Sequence, residues 1–137
     1  NVLDLFSGTG SFGLECYSRR AKFVTFVENY SEALKILKKN IIVLNATKSS
    51  KIIEDNCFEY LNLDRNLNDK FDIIFLDPPY KEIKINYLID KIKDEKLLSN
   101  NGIIIIHRHK KDDIEVTTKL NVLDTRNYGI SKIVFGN

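Results

Sequence analysis

The stretch Val2-Leu3-Asp4-Leu5-Phe6-Ser7-Gly8-Thr9-Gly10-Ser11-Phe12-Gly13-Leu14-Glu15 decides the fold. Val2–Phe6 is a short apolar run broken only by Asp4, which reads as a buried strand. It leads into three glycines spaced G-x-G-x-x-G (Gly8, Gly10, Gly13) and then into a helix-like segment, Ser11–Arg20. Strand, glycine turn and helix make the first half of a βαβ unit. The alternation continues outward from there. Phe23–Val27 is β-branched and aromatic, as strands are. Ser31–Leu44 sets Leu34, Leu37, Ile41 and Leu44 on one helical face, with Ser31 placed to cap it. Lys51–Ile53 predicts a brief strand and Cys57–Leu61 a short helix. Phe71–Leu76 is apolar except for Asp72, as buried parallel strands are. Ile85, Leu88, Ile89 and Ile92 mark another amphipathic helix, and the four isoleucines Ile103–Ile106 a stiff buried strand. Asn121–Arg126 and Ser131–Phe135 predict two strands around Asn127-Tyr128-Gly129. The pattern is α/β: a doubly wound, Rossmann-like, mostly parallel sheet of about seven strands with a C-terminal antiparallel hairpin.

Composition bounds the function. A chain of 137 residues, 43% hydrophobic and 29% charged, fits one soluble domain over residues 1–137. Six glycines and two prolines exclude collagen-like and low-complexity classes. No apolar run approaches the roughly 20 residues of a membrane span. There is no methionine, and Asn1 stands at the edge of a buried strand. The expectation is therefore a fragment that has lost an N-terminal segment, because first residues are usually frayed rather than buried. The net charge of +2 is compatible with nucleic acid without requiring it. Cys16 and Cys57 have neither CxxC nor disulfide-framework spacing, which suits reduced thiols in a cytoplasmic protein. No additional apolar stripe is evident, so a monomer is expected.

Ligands of such sheets sit beyond the carboxyl ends of the strands. The first strand ends in the glycine loop, whose backbone can approach a ligand closely. Glu28 ends the second strand, twenty residues after Gly8, where a carboxylate can accept both hydroxyls of a ribose. The same pattern is the dinucleotide fingerprint, so a nicotinamide dehydrogenase is a rival at this point. Asp4 shifts the balance. A carboxylate four residues before the first glycine repels pyrophosphate but suits a cationic ligand. S-adenosylmethionine carries a sulfonium and an ammonium and no phosphate. The fourth strand ends in Asp77-Pro78-Pro79-Tyr80. Two prolines fix the backbone and remove its N–H donors, leaving carbonyl acceptors. Acceptors plus the Asp77 carboxylate can grip an exocyclic amino group, and Tyr80 offers a face on which a flipped-out base can stack.

These residues resemble class I S-adenosylmethionine-dependent methyltransferases that act on amino nitrogens, whose hallmark is a D-P-P-Y-type motif. Asp4 through Gly10, then Phe12-Gly13-Leu14-Glu15, Ser18-Arg19-Arg20-Ala21, Phe26-Val27-Glu28, Asn40 and the Phe71–Tyr80 block resemble the bacterial 16S rRNA (guanine-966 N2) methyltransferase family over essentially the whole chain. The resemblance implies that Asp4, Phe6, Ser7, Gly8, Thr9 and Gly10 line the methionine half of the cofactor. It puts Glu28 on the ribose, Asn29 beside the adenine, and Asn56-Cys57 where the family often has Asp-Ala; Asn56 can bond the adenine amino group through its amide oxygen, with Asp55 the alternative. It implies catalysis at Asp77, Pro78, Pro79 and Tyr80 on a guanine of small-subunit rRNA, free or in an assembly particle. Lys81, Lys84, Arg108, Lys110 and Lys111 are candidates for a phosphate-binding rim. His107 and His109 have no carboxylate or Cys partner at ligand spacing, so no metal is expected. An adenine-N6 methyltransferase and a non-catalytic RNA-binding remnant are the alternatives.

Overall fold

The computed structural model describes residues 1–62, 69–79, 82, 84–112 and 117–137. The chain forms two compact units, Asn1–Leu63 and Asp64–Asn137.

The first unit holds β1 (Val2–Leu5), α1 (Ser11–Ser18), β2 (Val24–Glu28), α2 (Ser31–Val43), a 3-10 turn (Thr47–Ser49), β3 (Ser50–Glu54) and α3 (Cys57–Asn62). Its strands run β3-β2-β1, all parallel, with Leu5 opposite Val27 and Glu28 opposite Glu54. All four residues of β1 are buried, which is why its sequence is apolar rather than alternating. Leu34, Leu37 and Ile41 of α2 are buried on one face, as their spacing requires. Leu44 departs from the expected stripe. It lies just past the helix and is half exposed, because Asn45 turns left-handed (φ 55°) behind it. The Asn45 and Ala46 amides then close back on the Ile42 and Ile41 carbonyls.

The second unit holds β4 (Phe71–Leu76), α4 (Ile85–Asp94), β5 (Leu98–His109), β6 (Val122–Tyr128) and β7 (Ser131–Gly136). Its order is β4-β5-β7-β6. β4 and β5 are parallel, pairing Ile73 to Leu76 with Ile103 to Ile106, while β7 is antiparallel to both β5 and β6. Ile85, Leu88, Ile89 and Ile92 of α4 are all buried, as are Ile104 and Ile106 of β5. β5 starts five residues earlier than the isoleucines predict. The hairpin turns at Gly129-Ile130, because Tyr128 already pairs with Ser131 and Gly129 (φ 59°) takes the left-handed position. Among the described residues the chain thus has seven strands and four α-helices, parallel within each group except for the terminal hairpin. This is the expected α/β class. Among the same residues, no helix is long and apolar enough to cross a membrane.

Candidate functional site

In the first unit, the chain leaves β1 through a loop of left-handed residues: Phe6 (φ 59°), Gly8 (φ 54°) and Gly10 (φ 87°). Phe6 is the unusual one, since a Cβ in that region costs roughly 1–2 kcal/mol. It is held there by its N–H, which donates to Cys57 Sγ at 3.3 Å, and by an edge-to-face contact with Phe58. Ser7 N–H donates to the Val27 carbonyl (3.1 Å), Gly10 N–H to the Ser7 carbonyl (2.8 Å) and Asn40 Nδ2 to the Thr9 carbonyl (3.0 Å). The three glycines serve different ends. A Cβ on Gly13 would lie 2.3 Å from the buried Phe26 ring, so Gly13 lets α1 pack on β2. A Cβ on Gly10 would strike Leu37 at 2.4 Å. A Cβ on Gly8 would meet nothing within 4 Å: there the loop offers bare backbone to open space, where a ligand can approach.

The carboxylates tie this loop to its surroundings. Asp4 is buried, and its Oδ2 accepts the Gly13 N–H at 2.9 Å. Gly13 is in the first turn of α1, whose capping residue, Gly10, has no side chain, so Asp4 satisfies an orphan amide from the neighbouring strand. Glu28 Oε2 accepts the Gly8 N–H at 2.7 Å, and its Oε1 accepts those of Asn29 and Tyr30 at 2.8 Å. Three of about four lone-pair positions are then taken, so capture of both ribose hydroxyls needs one backbone bond to open. Asn56 Oδ1 accepts the Phe58 N–H at 2.8 Å, turning the chain into α3. Cys57 is buried beneath the loop. Its thiol is pushed up to about 12 by burial, against the pull of the Phe6 N–H. It is a neutral wedge and hydrogen-bond acceptor.

These residues fit S-adenosylmethionine. Neither Asp4–Gly13 nor Glu28–Tyr30 contains a Lys or Arg, while both carry a carboxylate. A loop with two anions and no cation favours a sulfonium and an ammonium over a pyrophosphate.

In the second unit, Asp77 and Pro79 are exposed at the end of β4 and Pro78 is buried between them. The Glu82 N–H donates to the Pro79 carbonyl at 2.8 Å. Tyr80 and Lys81 lie outside the described residues. Asp77 Oδ1 is 2.7 Å from His107 Nδ1, and His107 Nε2 is 2.9 Å from Ser131 Oγ. The sequence reading missed this link. Its signal is the strand register, for Leu76 lies opposite Ile106, which brings the next residues of the two strands together.

Of the proposed rim, Arg108 is withdrawn from the surface. Lys84, Lys110 and Lys111 are exposed. Arg108 is not, because strand alternation turns it inward between His107 and His109. It is 5% exposed, with Nε 2.8 Å from Asp112 Oδ2. A buried, ion-paired guanidinium is not a surface phosphate contact.

Known proteins resemble this chain in sequence and fold. Ribosomal RNA small subunit methyltransferase D of Buchnera aphidicola subsp. Acyrthosiphon pisum is 38% identical over 114 residues, which is 83% of this chain and 58% of that protein. The protein of the same name from Haemophilus influenzae is 30% identical over 129 residues, covering 93% of this chain and 66% of the relative. The chain therefore spans well over half, but not all, of these curated relatives. A solved structure, a conserved hypothetical protein of Streptococcus pyogenes, superimposes with a TM-score of 0.88 at 29% identity, covering 99% of this chain and 84% of the other. The family model described as Conserved hypothetical protein 95 matches residues 1–137, so the chain belongs to that family.

Proposed function

We propose that this protein transfers a methyl group from S-adenosylmethionine to the exocyclic N2 amino group of a guanine in small-subunit rRNA. The observation that carries the proposal is Asp77, an exposed carboxylate at a strand end, followed by two prolines that offer carbonyls and no N–H. The names of the relatives support the class of substrate. When bound, the cofactor supplies an electrophilic methyl on sulfur. The residues of the chain do the rest. The glycine loop and Glu28 are placed to hold the cofactor by backbone and carboxylate, and the buried Asp4 anchors that loop through the Gly13 N–H. Asp77 and the Pro78 carbonyl accept the two N–H groups of the amine, which draws the nitrogen lone pair out of conjugation with the ring. Once the amine nitrogen has been methylated it would carry positive charge, and Asp77 is placed to take one proton from it. Positioning supplies most of the remaining acceleration.

The test is methyl transfer to small-subunit rRNA by wild type and Asp77→Ala, with nucleoside analysis of the product. N2-methylguanosine and a loss of about 10²–10⁴-fold in the variant are expected. N6-methyladenosine as product would overturn the guanine assignment, and an unchanged rate would overturn the role of Asp77.

A further inference from the structure

We propose that His107 and Ser131 form a clamp on Asp77 that decides which carboxylate oxygen meets the substrate amine, making His107 a positioning residue. The inference deepens the methyl-transfer reading and rests on it.

Beside an ionised Asp77, the geometry fixes one hydrogen of the ring. An ionised carboxylate only accepts, so His107 Nδ1, 2.7 Å from Asp77 Oδ1, must carry the proton in that contact. His107 Nε2 lies 2.9 Å from Ser131 Oγ, whose hydroxyl donates to a neutral ring or accepts from a protonated one. Each member stands on a regular element or directly at its end. Asp77 directly follows β4, His107 lies in β5 opposite Ile133, and Ser131 opens β7 opposite Tyr128 and His109. With both ring nitrogens engaged, the imidazole cannot turn. Asp77 needs such a hold: its side chain is 46% exposed, and the buried Pro78 restrains its backbone but not its own torsions. With Oδ1 committed to His107, Oδ2 is the oxygen left for the amine. The clamp thus orients Asp77 through the hydrogen bond that holds Oδ1.

Two measurements on the full chain test the clamp. In the first, His107→Phe keeps a ring but removes both nitrogens, while His107→Asn restores an N–H donor near the Nδ1 position. Expected for the Phe variant is a fall of about 10²-fold in kcat with cofactor affinity unchanged, since misorienting a reacting group costs on this scale. The Asn variant should recover at least about tenfold of it. In the second, nitrogen-15 NMR of the histidine rings in the protein alone should show His107 protonated on Nδ1, with Ser131→Ala relaxing that preference. A Phe variant at the wild-type kcat, an Asn variant as impaired as the Phe variant, or a wild-type ring protonated on Nε2 alone would each overturn the clamp. A wild type that methylates no rRNA overturns the functional reading and the amine-positioning role with it. A wrong tautomer in an active wild type overturns the clamp alone.

Discussion

Cys57 shows how one side chain records its surroundings. It is 3% exposed beneath the glycine loop, and its thiol is pushed from an ordinary 9.0 up to about 12. Desolvation is the main cause, reinforced by the Glu28 and Asp4 charges and opposed by the Phe6 N–H. The consequence for stability has a definite sign. Below pH 9 the thiol is protonated in both folded and unfolded chains and contributes no pH dependence. Above pH 9 the unfolded chain loses this proton and the folded chain keeps it, so unfolding is favoured progressively until about pH 12. The slope is up to about 1.4 kcal/mol per pH unit. Urea unfolding at pH 8, 9.5 and 10.5 should therefore show wild type losing stability faster than Cys57→Ala. Only the slopes are compared, so the fixed cost of removing the sulfur drops out. Parallel slopes would mean that Cys57 ionises in the folded protein at its ordinary value. In the sequence, Cys57 was legible as a reduced thiol at the start of a short helix and as the neighbour of Asn56 in a family pattern. Its place under Phe6, fifty-one residues away, depends on the parallel pairing of β1, β2 and β3.

The C-terminal ends of three helices follow one rule. α1, α2 and α4 close in the same way: the residue after the cap turns left-handed, and two amides fold back on the last carbonyls. In α4, Lys96 (φ 52°) bonds the Lys93 carbonyl and Leu97 bonds that of Ile92, while the Ile92 and Leu97 side chains are both fully buried. In α1, Arg20 (φ 73°) and Ala21 do the same to Tyr17 and Cys16. The left-handed positions are filled by Arg20, Asn45 and Lys96, and only asparagine among these favours that conformation. With no glycine to mark them, the ends of α1 and α2 could not be read from sequence and were extended by one or two residues. What was legible were the buried stripes, Leu34-Leu37-Ile41 and Ile85-Leu88-Ile89-Ile92, because burial imposes the 3.6-residue period directly. The strain is removable. Arg20→Gly and Lys96→Gly should each stabilise by about 0.5–1 kcal/mol, the relief of a misplaced Cβ less the added freedom of the unfolded chain. Asn45→Gly should gain less. Destabilisation by either of the first two would mean that those side chains contribute contacts worth more than the strain.

At the scale of the molecule, the chemistry of both strand ends was legible and the electrostatics only partly so. Asp4, the glycines and Asp77-Pro78-Pro79 announce themselves because few residue types can do those jobs, whereas a Lys-rich chain hides which of its cations matter. Lys accounts for 16 of the 21 basic residues. Structure sorts some of them: Arg108 is withdrawn into an ion pair, Lys35 pairs with Glu32, Lys38 pairs with Glu54, and Lys84, Lys110 and Lys111 stay exposed. Counterion release turns that sorting into a measurement. Each cation seated on a phosphate of a single strand contributes about 0.7 to the slope of log affinity against log salt concentration. Changing Lys84, Lys110 and Lys111 together to Glu should therefore lower the slope for a small-subunit rRNA fragment by about 2. Changing Lys35, Lys38 and Lys39 together to Glu alters net charge by the same amount and should lower it by less than about 0.7, one phosphate contact. Fluorescence anisotropy from 50 to 200 mM salt reads both, with Lys70→Glu as a single-site reference. Equal losses from the two triple variants would mean that RNA senses only the total charge, and the rim at Lys84, Lys110 and Lys111 would have to be abandoned.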